Sequence, residues 1–165
     1  MKLHLITYGC GKKFDIAKFK PIKNRMFVKP EGGLWASPVG SSYGWREWCE
    51  AKSFGNLSHN FTFEFEGNVF VINSCSDAAR MPWIVKGSYV KFPDFEKMVS
   101  LGFDAIFLTE NGQNKTRFGE PSLYGWDCEC VLVMNPSGVL TMRAPDRVVR
   151  AAKSGNLSLE SYPSK

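Results

Sequence analysis

The sequence predicts a single compact α+β domain with a strand-rich core and a few short helices. The chain has 165 residues, a length that suits one domain able to bury a core. Hydrophobic residues make up 44% of the chain and charged residues 22%, as in folded globular proteins. Short apolar runs separated by glycine-rich turns outnumber the helical patterns. We therefore expect one domain over residues 1–165, with a flexible tail at 155–165.

The first third of the chain predicts two strands and one helix. An apolar run predicts a strand over 3–8, and a second short strand follows a glycine pair at 33–37. Between them, the segment 12–29 mixes lysines with apolar residues, which indicates a loop or short helix with a solvated basic face. Apolar residues at helical spacing predict a helix of about three turns over 43–52.

The middle of the chain predicts a hairpin, a helix and a buried strand. Residues 61–66 alternate apolar and polar side chains, and a glycine–asparagine turn leads into the apolar run 69–72, so the two segments should pair as a hairpin. A helix is expected over 93–101, where proline and acids begin the pattern and a glycine follows it. Residues 104–109 predict a short buried strand.

The last third predicts a functional loop followed by a long strand. Residues 110–123 are polar and contain glycine and proline, and a loop of that length is more often a functional or mobile element than a connector. A long strand is expected over 124–135, with a turn and a further strand at 139–142.

Charge and cysteine content limit the classes of function. A net charge of +5 and a pI near 9.0 favour polyanionic partners such as nucleic acid or a phosphate-bearing cofactor. The five cysteines are odd in number and have no paired CxxC spacing, so neither a disulfide framework nor a structural metal site is expected. No apolar run approaches the ~18 residues of a membrane span. The expected location is therefore cytoplasmic, with no membrane partner, and the oligomeric state stays open.

One stretch, residues 32–49, has the composition of a ligand pocket. It holds three of the five tryptophans within fourteen residues, beside glycines and serines. Aromatic rings supply stacking faces, and residues with little side chain let a ligand approach the backbone. The stretch therefore predicts a pocket for a flat, polar organic ligand.

Glu129 is the candidate catalytic carboxylate. In the predicted strand it follows Trp126 and precedes four apolar residues, where an ionised carboxylate is costly unless it is paired or functional. It then lies either at the mouth of the aromatic pocket or on an exposed face of the strand together with Asp127.

Other chemistries have weaker support. The two histidines, His4 and His59, have no local catalytic signature around them, and His59 is expected to be exposed. A cysteine-dependent hydrolase would have to use Cys49 or Cys10. A non-enzymatic basic module that binds nucleic acid or inhibits a protein partner is the main alternative from a different class.

Three features occur in the order that characterises a known enzyme superfamily. They are a first strand that ends Thr7-Tyr8-Gly9, a Gly33-Leu34-Trp35-Ala36-Ser37 strand that leads into an aromatic helix, and a late Glu129. This order resembles the ADP-ribosyltransferase superfamily, which includes the poly-ADP-ribose polymerases and the bacterial and phage mono-ADP-ribosyltransferases. Tyr8 stands where that family has His or Arg, with His4 as the other candidate for that position. Trp35 stands where the family has a stacking tyrosine.

The resemblance implies a fold, a cofactor and a reaction. The fold would be the split β-sheet core of an ADP-ribosyltransferase, and NAD would be the co-substrate. The reaction would transfer ADP-ribose to a macromolecular acceptor, protein or nucleic acid, with release of nicotinamide. A toxin or phage effector would fit this activity.

The resemblance also implies a role for each residue of the NAD site. Glu129 would be catalytic and would hold the nicotinamide-ribose 2′-hydroxyl. The backbone of Gly9, next to Tyr8 at the first motif position, would hold the nicotinamide carboxamide. Stacking would come from Trp35 and Tyr43, and Ser37 would hydrogen-bond near the catalytic carboxylate.

Two further groups of residues are implied outside the nicotinamide site. The pyrophosphate would meet the basic segment through Arg25 or Lys23. The acceptor would be recognised by four residues of the loop before the glutamate, namely Asn114, Lys115, Arg117 and Glu120.

Overall fold

The computed structural model describes residues 1–87 and 90–140. In chain order the elements are β1 (Lys2–Tyr8), a 3₁₀ turn (Ile16–Lys18), β2 (Leu34–Pro38), α1 (Trp45–Lys52), β3 (Asn60–Glu66), β4 (Val69–Ile72), α2 (Cys75–Ala79), β5 (Trp83–Lys86), β6 (Val90–Pro93), α3 (Phe95–Ser100), β7 (Ala105–Leu108), α4 (Glu110–Thr116), β8 (Cys130–Val133), a second 3₁₀ turn (Pro136–Gly138) and β9 (Val139–Leu140).

Seven of the described strands form one mixed sheet in the order β4-β7-β8-β2-β1-β3-β9. The pair β4–β7 is parallel, and the other neighbours in the sheet are antiparallel. Strands β5 and β6 form a separate two-stranded sheet. Together with four short helices, these described strands make an α+β domain, which confirms the predicted class.

The large sheet opens between its two central strands. β1 and β2 pair only at Leu5–Pro38 and Ile6–Ser37. Beyond these pairs, β1 continues to Tyr8 alongside β3, whereas the first half of β2 pairs with β8. The sheet is thus joined across a short seam, with a gap on one side of it.

Two hydrophobic cores cover the two faces of this sheet. The first core contains Phe95 and Met98 of α3, Ile106 of β7 and Leu132 of β8, with Trp126 among them. It attaches the helices to the β4-β7-β8-β2 part of the sheet.

The second core connects the two parts of the sheet. It packs Leu5 and Phe63 from β1 and β3 against Ala36 of β2 and against Val131 and Val133 of β8. All five are essentially buried. Side chains from both sides of the seam therefore share one core.

The predicted hairpin over residues 61–72 is wrong. β3 pairs with β1 and β9, and β4 pairs with β7. The turn residues themselves bond elsewhere: the Gly67 N–H donates to the Met1 carbonyl, and the Asn68 N–H donates to Asp104 at 2.8 Å. These long-range bonds direct the two strands to different parts of the sheet.

The predicted loop over 110–123 is wrong in its first half, because residues Glu110–Thr116 form helix α4. The Thr109 side chain caps this helix by accepting the Gly112 N–H at 3.0 Å. Asn, Gly and Thr, which make up four of its seven residues, have low helix propensity, so tertiary packing stabilises the helix. Its inward face buries Gly112, Gln113 and Thr116.

The predicted strand over 124–135 is shorter than expected. Only 130–133 form β8, and residues before it turn, with the Trp126 N–H donating to the Leu123 carbonyl at 2.8 Å. Glu129 therefore lies immediately before the strand and not within it. The alternation of buried residues continues through 126, 128 and 130, which is why the sequence pattern resembles a longer strand.

The remaining predicted elements agree in position with the structure. The helix over 43–52 is α1, shorter by two residues at its start, and the helix over 93–101 is α3, followed by Gly102 at a φ of +84°. The segment 12–29 is mostly irregular, as expected for a loop, and its apolar residues Met26 and Phe27 are exposed. The tail at 155–165 and the end of the strand at 139–142 lie outside the described residues. Among the described residues, no helix has the length and apolar character to cross a membrane.

Candidate functional site

A cavity of about 250 Å³ lies where β1 and β2 separate. Most of its lining is apolar. The residues that line it are Tyr8, Cys10, Lys29, Gly33, Trp35, Ala36, Trp45, Trp126, Asp127, Cys128 and Cys130. This volume is slightly below the usual range for ligand pockets, so the cavity has room for one ring system but not for a whole dinucleotide.

Three tryptophans supply aromatic surface to this cavity. The rings of Trp35 and Trp126 meet edge to face, with centroids 4.7 Å apart. The Trp126 indole N–H donates to the Val28 carbonyl at 2.7 Å, which fixes its ring. Trp45 also lines the cavity and stacks on Trp48 at 5.0 Å. Trp45 thus contributes both to the cavity lining and to the aromatic packing of α1.

One ion pair lies at the cavity. Lys29 Nζ is 3.1 Å from Asp127 Oδ2 and 5.8 Å from the centre of the Trp35 ring. The ammonium group therefore combines a charge-assisted hydrogen bond with a cation–π contact. These two residues provide the charged groups of an otherwise apolar lining.

Gly33 is required by the walls around the cavity. Its φ of +71° lies in the left-handed region, and a Cβ there would be 2.7 Å from Leu132 Cδ1 and 2.8 Å from Ile22 Cδ1. Both contacts are shorter than real packing distances, so a larger residue would displace core side chains. The glycine pair before β2 therefore allows the strand to approach the core closely.

A second, more polar groove adjoins the cavity and shares Tyr8 and Trp45 with it. Its volume is also about 250 Å³. The rest of its lining comes from β1, β2 and the start of α1, and consists of Ile6, Ser37, Pro38, Val39, Gly40, Ser41, Gly44, Arg46 and Glu47. Cavity and groove together offer an aromatic compartment followed by a polar one.

The Glu129 carboxylate is held by two donors beside this groove. Ser41 Oγ donates to Oε2 at 2.6 Å, and the Glu110 backbone N–H donates to Oε1 at 3.3 Å. The Glu129 N–H donates to the Tyr43 carbonyl at 3.1 Å. Because both carboxylate oxygens and the backbone are bonded, the side chain is oriented without a cationic partner among the described residues.

Ser37 connects the groove to the Glu129 backbone. Its hydroxyl is 2% exposed, donates to the Glu129 carbonyl at 2.9 Å and accepts the Trp45 N–H at 2.8 Å. β2, the start of α1 and the residue before β8 therefore meet at one hydroxyl. Ser37 was predicted to hydrogen-bond near the carboxylate; its bond is to the Glu129 backbone carbonyl, and Ser41 is the serine that bonds the carboxylate.

Gly9 and Tyr43 contribute differently from their predicted contacts. Gly9 has a φ of +80°, and its N–H donates to the His59 carbonyl at 2.7 Å, so that donor is already used. Tyr43 approaches Glu129 through its backbone, and its ring is not part of the cavity lining. Tyr8 lines both the cavity and the groove, and burial raises the pKa of its phenol.

The predicted pyrophosphate and acceptor residues lie outside the two lined sites. Arg25 pairs with Glu31 at 2.9 Å. Asn114 and Lys115 are exposed on α4, Arg117 lies over the rings of Phe118 and Tyr124, and Glu120 is 3.8 Å from Lys91. The structure does not bring these residues together with Glu129.

The cysteines differ in their suitability as nucleophiles. All five are free, and burial raises the pKa of the Cys49 thiol, which disfavours the reactive thiolate. A hydrogen bond with Cys128, together with burial, raises the pKa of Cys130. Cys10 is exposed and lines the cavity. Both histidines are exposed, as expected for His59, and neither lines the cavity or the groove.

Sequence reasoning missed Trp126, Lys29 and Asp127 as cavity residues. Trp126 and Asp127 fell within the predicted strand 124–135, which was too long, and so were not recognised as cavity residues. A large aromatic side chain next to a carboxylate, close to Glu129 in sequence, was a signal that could have identified them. Lys29 was one of several lysines in a basic segment, and nothing in its sequence context distinguishes it.

No cluster of three or more metal-ligating side chains occurs in residues 1–87 and 90–140. Comparison with known proteins gives no match among family models, curated proteins or solved structures. The resemblance to ADP-ribosyltransferases therefore depends on the sequence motifs alone.

Proposed function

We propose that the protein is an NAD-dependent mono-ADP-ribosyltransferase that transfers ADP-ribose to a protein or nucleic-acid acceptor and releases nicotinamide. The observation that carries this proposal is the position of Glu129. Its carboxylate is fixed by Ser41, a residue of the polar groove, and the groove continues into the cavity of three tryptophans. A fixed carboxylate next to a groove that leads into an aromatic compartment suits the cleavage of an aromatic N-glycoside bound across the two.

In this proposal the cavity binds the nicotinamide ring. The ring would stack on the faces of Trp35 and Trp45, and the limited volume would select the nicotinamide end of NAD. The apolar lining excludes water from the bond that breaks, which strengthens electrostatic interactions there.

Glu129 would then stabilise the transition state. As the bond from ribose C1′ to the ring nitrogen breaks, positive charge develops on the ribose, and a carboxylate already held in place stabilises that charge without reorganisation. The same carboxylate can accept a hydrogen bond from the 2′-hydroxyl. Ser41 and the Glu110 N–H keep it oriented throughout.

The polar groove would hold the ribose and phosphates. Arg46 lines it directly, although it also pairs with Glu50 at 3.0 Å. Arg25 and Lys23, the residues predicted to meet the pyrophosphate, do not line the groove. The acceptor would approach from the α4 side, where Asn114, Lys115, Arg117 and Glu120 form the proposed recognition segment, in a toxin or phage effector that acts in the cytoplasm.

The test is NAD cleavage by the wild type and by Glu129→Gln. We expect the wild type to release nicotinamide and to label material in a cell lysate from NAD labelled in its adenylate part. Glutamine keeps the hydrogen bond from Ser41 but loses the charge, so we expect turnover to fall by about 100-fold or more. The matched control is Glu64→Gln, because Glu64 pairs with Lys2 outside the cavity and the groove.

Two outcomes would contradict the proposal. A wild type that neither binds nor cleaves NAD would exclude it, and salt-sensitive nucleic-acid binding that ignores Glu129 would then favour the non-enzymatic basic module. Undiminished turnover in Glu129→Gln would remove the catalytic assignment. Thermal unfolding of both variants checks that the fold is intact.

A further inference from the structure

The charged side chains that line the aromatic cavity form one ion pair, Lys29 with Asp127. Lys29 Nζ donates to Asp127 Oδ2 at 3.1 Å. Within the described part of the chain, no other group accepts a hydrogen bond from Nζ and none donates to Asp127 Oδ1. An ammonium group has three N–H donors, and a carboxylate has two acceptor oxygens. The pair therefore keeps unused donors and an unused acceptor side by side at the cavity.

The backbone around this pair holds it in position. The Trp126 indole N–H donates to the Val28 carbonyl at 2.7 Å, and these are the residues that precede the two members of the pair. The buried Gln113 side chain donates to the Asp127 carbonyl at 3.5 Å. The side chains of Lys29 and Asp127 are 40% and 25% exposed, so a ligand reaches them without disruption of the cavity wall.

The pair also lies close to the ring proposed to stack on nicotinamide. Lys29 Nζ is 5.8 Å from the centre of the Trp35 ring, so a substituent on a ligand ring against Trp35 comes within reach of the pair. The Gly9 N–H, the implied partner of the carboxamide, already donates to the His59 carbonyl at 2.7 Å. A carboxamide in the cavity therefore needs other partners, and the ion pair offers both a donor and an acceptor.

We infer that the Lys29–Asp127 pair selects a ring that carries a neutral carboxamide and discriminates against one that carries a carboxylate; this rests on the proposed function. The ammonium group would donate to the amide oxygen, and the amide N–H would donate to Asp127 Oδ1. A carboxylate on the ring has no N–H to donate, and one of its oxygens would face the Asp127 carboxylate. Like charges repel most where water is scarce, and a site built to bind an N–H discriminates against an analogue that lacks it.

The first test compares nicotinamide with nicotinate on the wild-type protein. The two rings have nearly the same shape and differ in the amide or carboxylate group alone. Titration followed by ligand-detected NMR gives both dissociation constants. We expect nicotinamide to bind at least about 10-fold more tightly. The same preference should appear as a lower KM for NAD than for the analogue with a carboxylate in place of the carboxamide.

Asp127→Asn should reverse this preference. Asparagine keeps the size of the side chain but removes its charge, which leaves Lys29 as an uncompensated ammonium group at the cavity. We expect nicotinate to bind about 10-fold more tightly than it binds to the wild type. A purely structural defect would weaken both ligands and would produce no such gain. With NAD, KM should rise while kcat changes little, because the bonds to the carboxamide form in the bound substrate as well as in the transition state.

Two further variants complete the comparison. Lys29→Met removes the donor and leaves Asp127 unpaired, so nicotinate should bind even more weakly than to the wild type. Glu64→Gln is the matched control, because Glu64 is also an acid paired with a lysine, Lys2 at 2.7 Å, but lies outside the cavity. It should change neither dissociation constant. Thermal unfolding of each variant checks that the fold is intact.

Failure of this inference is distinguishable from failure of the proposed function. Equal affinity of the wild type for nicotinamide and nicotinate overturns the inference, and so does an unchanged preference in Asp127→Asn. Both results leave the transferase in place if the wild type cleaves NAD. A wild type that prefers nicotinamide but cleaves no NAD overturns the transferase and retains the pair as a carboxamide-selective site.

Discussion

At the scale of single residues, the Ser37 hydroxyl holds two other groups of the site in place. Ser37 is buried and uses its one hydroxyl both to donate to the Glu129 carbonyl and to accept the Trp45 N–H. A hydroxyl satisfies both groups at once, whereas an alanine would satisfy neither. The serine therefore couples the polar groove to the residue proposed to be catalytic.

We expect Ser37→Ala to lower the free energy of unfolding by about 1–3 kcal/mol, because it leaves a buried N–H unsatisfied. NAD cleavage should fall as well, since Glu129 loses its backbone support. Denaturant unfolding and nicotinamide release measure the two effects. Ser100→Ala is the control, because the Ser100 hydroxyl is exposed and bonds only within α3; equal losses in both variants would contradict the role given to Ser37.

At this scale the sequence predicts which residues line the cavity and the groove better than it predicts their individual contacts. Tyr8, Trp35 and Ser37 were predicted from residue types at motif positions, and all three line the cavity or the groove. The N–H of Gly9 is committed to His59 and the ring of Tyr43 lies outside the cavity, because both depend on partners far away in the chain. No local pattern contains such partners.

At the scale of elements, α4 positions the candidate site. It presents the Glu110 N–H to Glu129, and Gln113 Nε2 donates to the Asp127 carbonyl at 3.5 Å. The helix can approach β4 only because Gly112 has no side chain: a Cβ there would be 2.1 Å from the Ile72 carbonyl oxygen. The close contact of Gly112 with β4 therefore fixes the position of the first residues of α4 relative to Glu129.

Gly112→Ala should therefore destabilise the protein by about 1–3 kcal/mol through overpacking, in spite of the higher helix propensity of alanine. Because α4 would have to shift, NAD cleavage should fall more than the loss of folded protein explains. Thermal unfolding and activity per folded molecule measure this. Asn114→Ala, on the exposed side of the same helix, should change stability by less than about 0.5 kcal/mol; a stabilised Gly112→Ala would disprove the close packing.

Elements with strong local signals were predicted well, and elements that depend on pairing were not. Proline, acids and a following glycine were enough to place α3, and an apolar run was enough to place β7. By contrast, β3 and β4 have the pattern of a hairpin but pair with other strands, and α4 has the composition of a loop. In both cases long-range contacts outweighed the local preference.

For the whole molecule, the second hydrophobic core holds the sheet together across its seam. β1 and β2 share only two residue pairs, and one of these involves Pro38, which has no backbone N–H to donate. Leu5 lies at one of these pairs and packs in the core shared by both parts. Side-chain packing therefore adds to the few hydrogen bonds between β1 and β2 in keeping the cavity and the groove in register.

We expect Leu5→Ala to cost about 2–5 kcal/mol, in the range for a fully buried leucine. Denaturant unfolding measures this cost. His4→Ala is the neighbouring control on the exposed side of β1 and should have little effect. If the two variants were equally stable, the shared core would not be what joins the sheet.

The clustering of tryptophans at the cavity has a spectroscopic consequence. Trp35, Trp45 and Trp126 line it, so three of the five indoles report on a single compartment, and only Trp48 and Trp83 provide background emission. A planar ring that enters would contact these fluorophores directly. Intrinsic tryptophan fluorescence therefore reports whether the cavity is occupied. Nicotinamide, NAD or any other flat ligand can be titrated in this way without a label and without turnover.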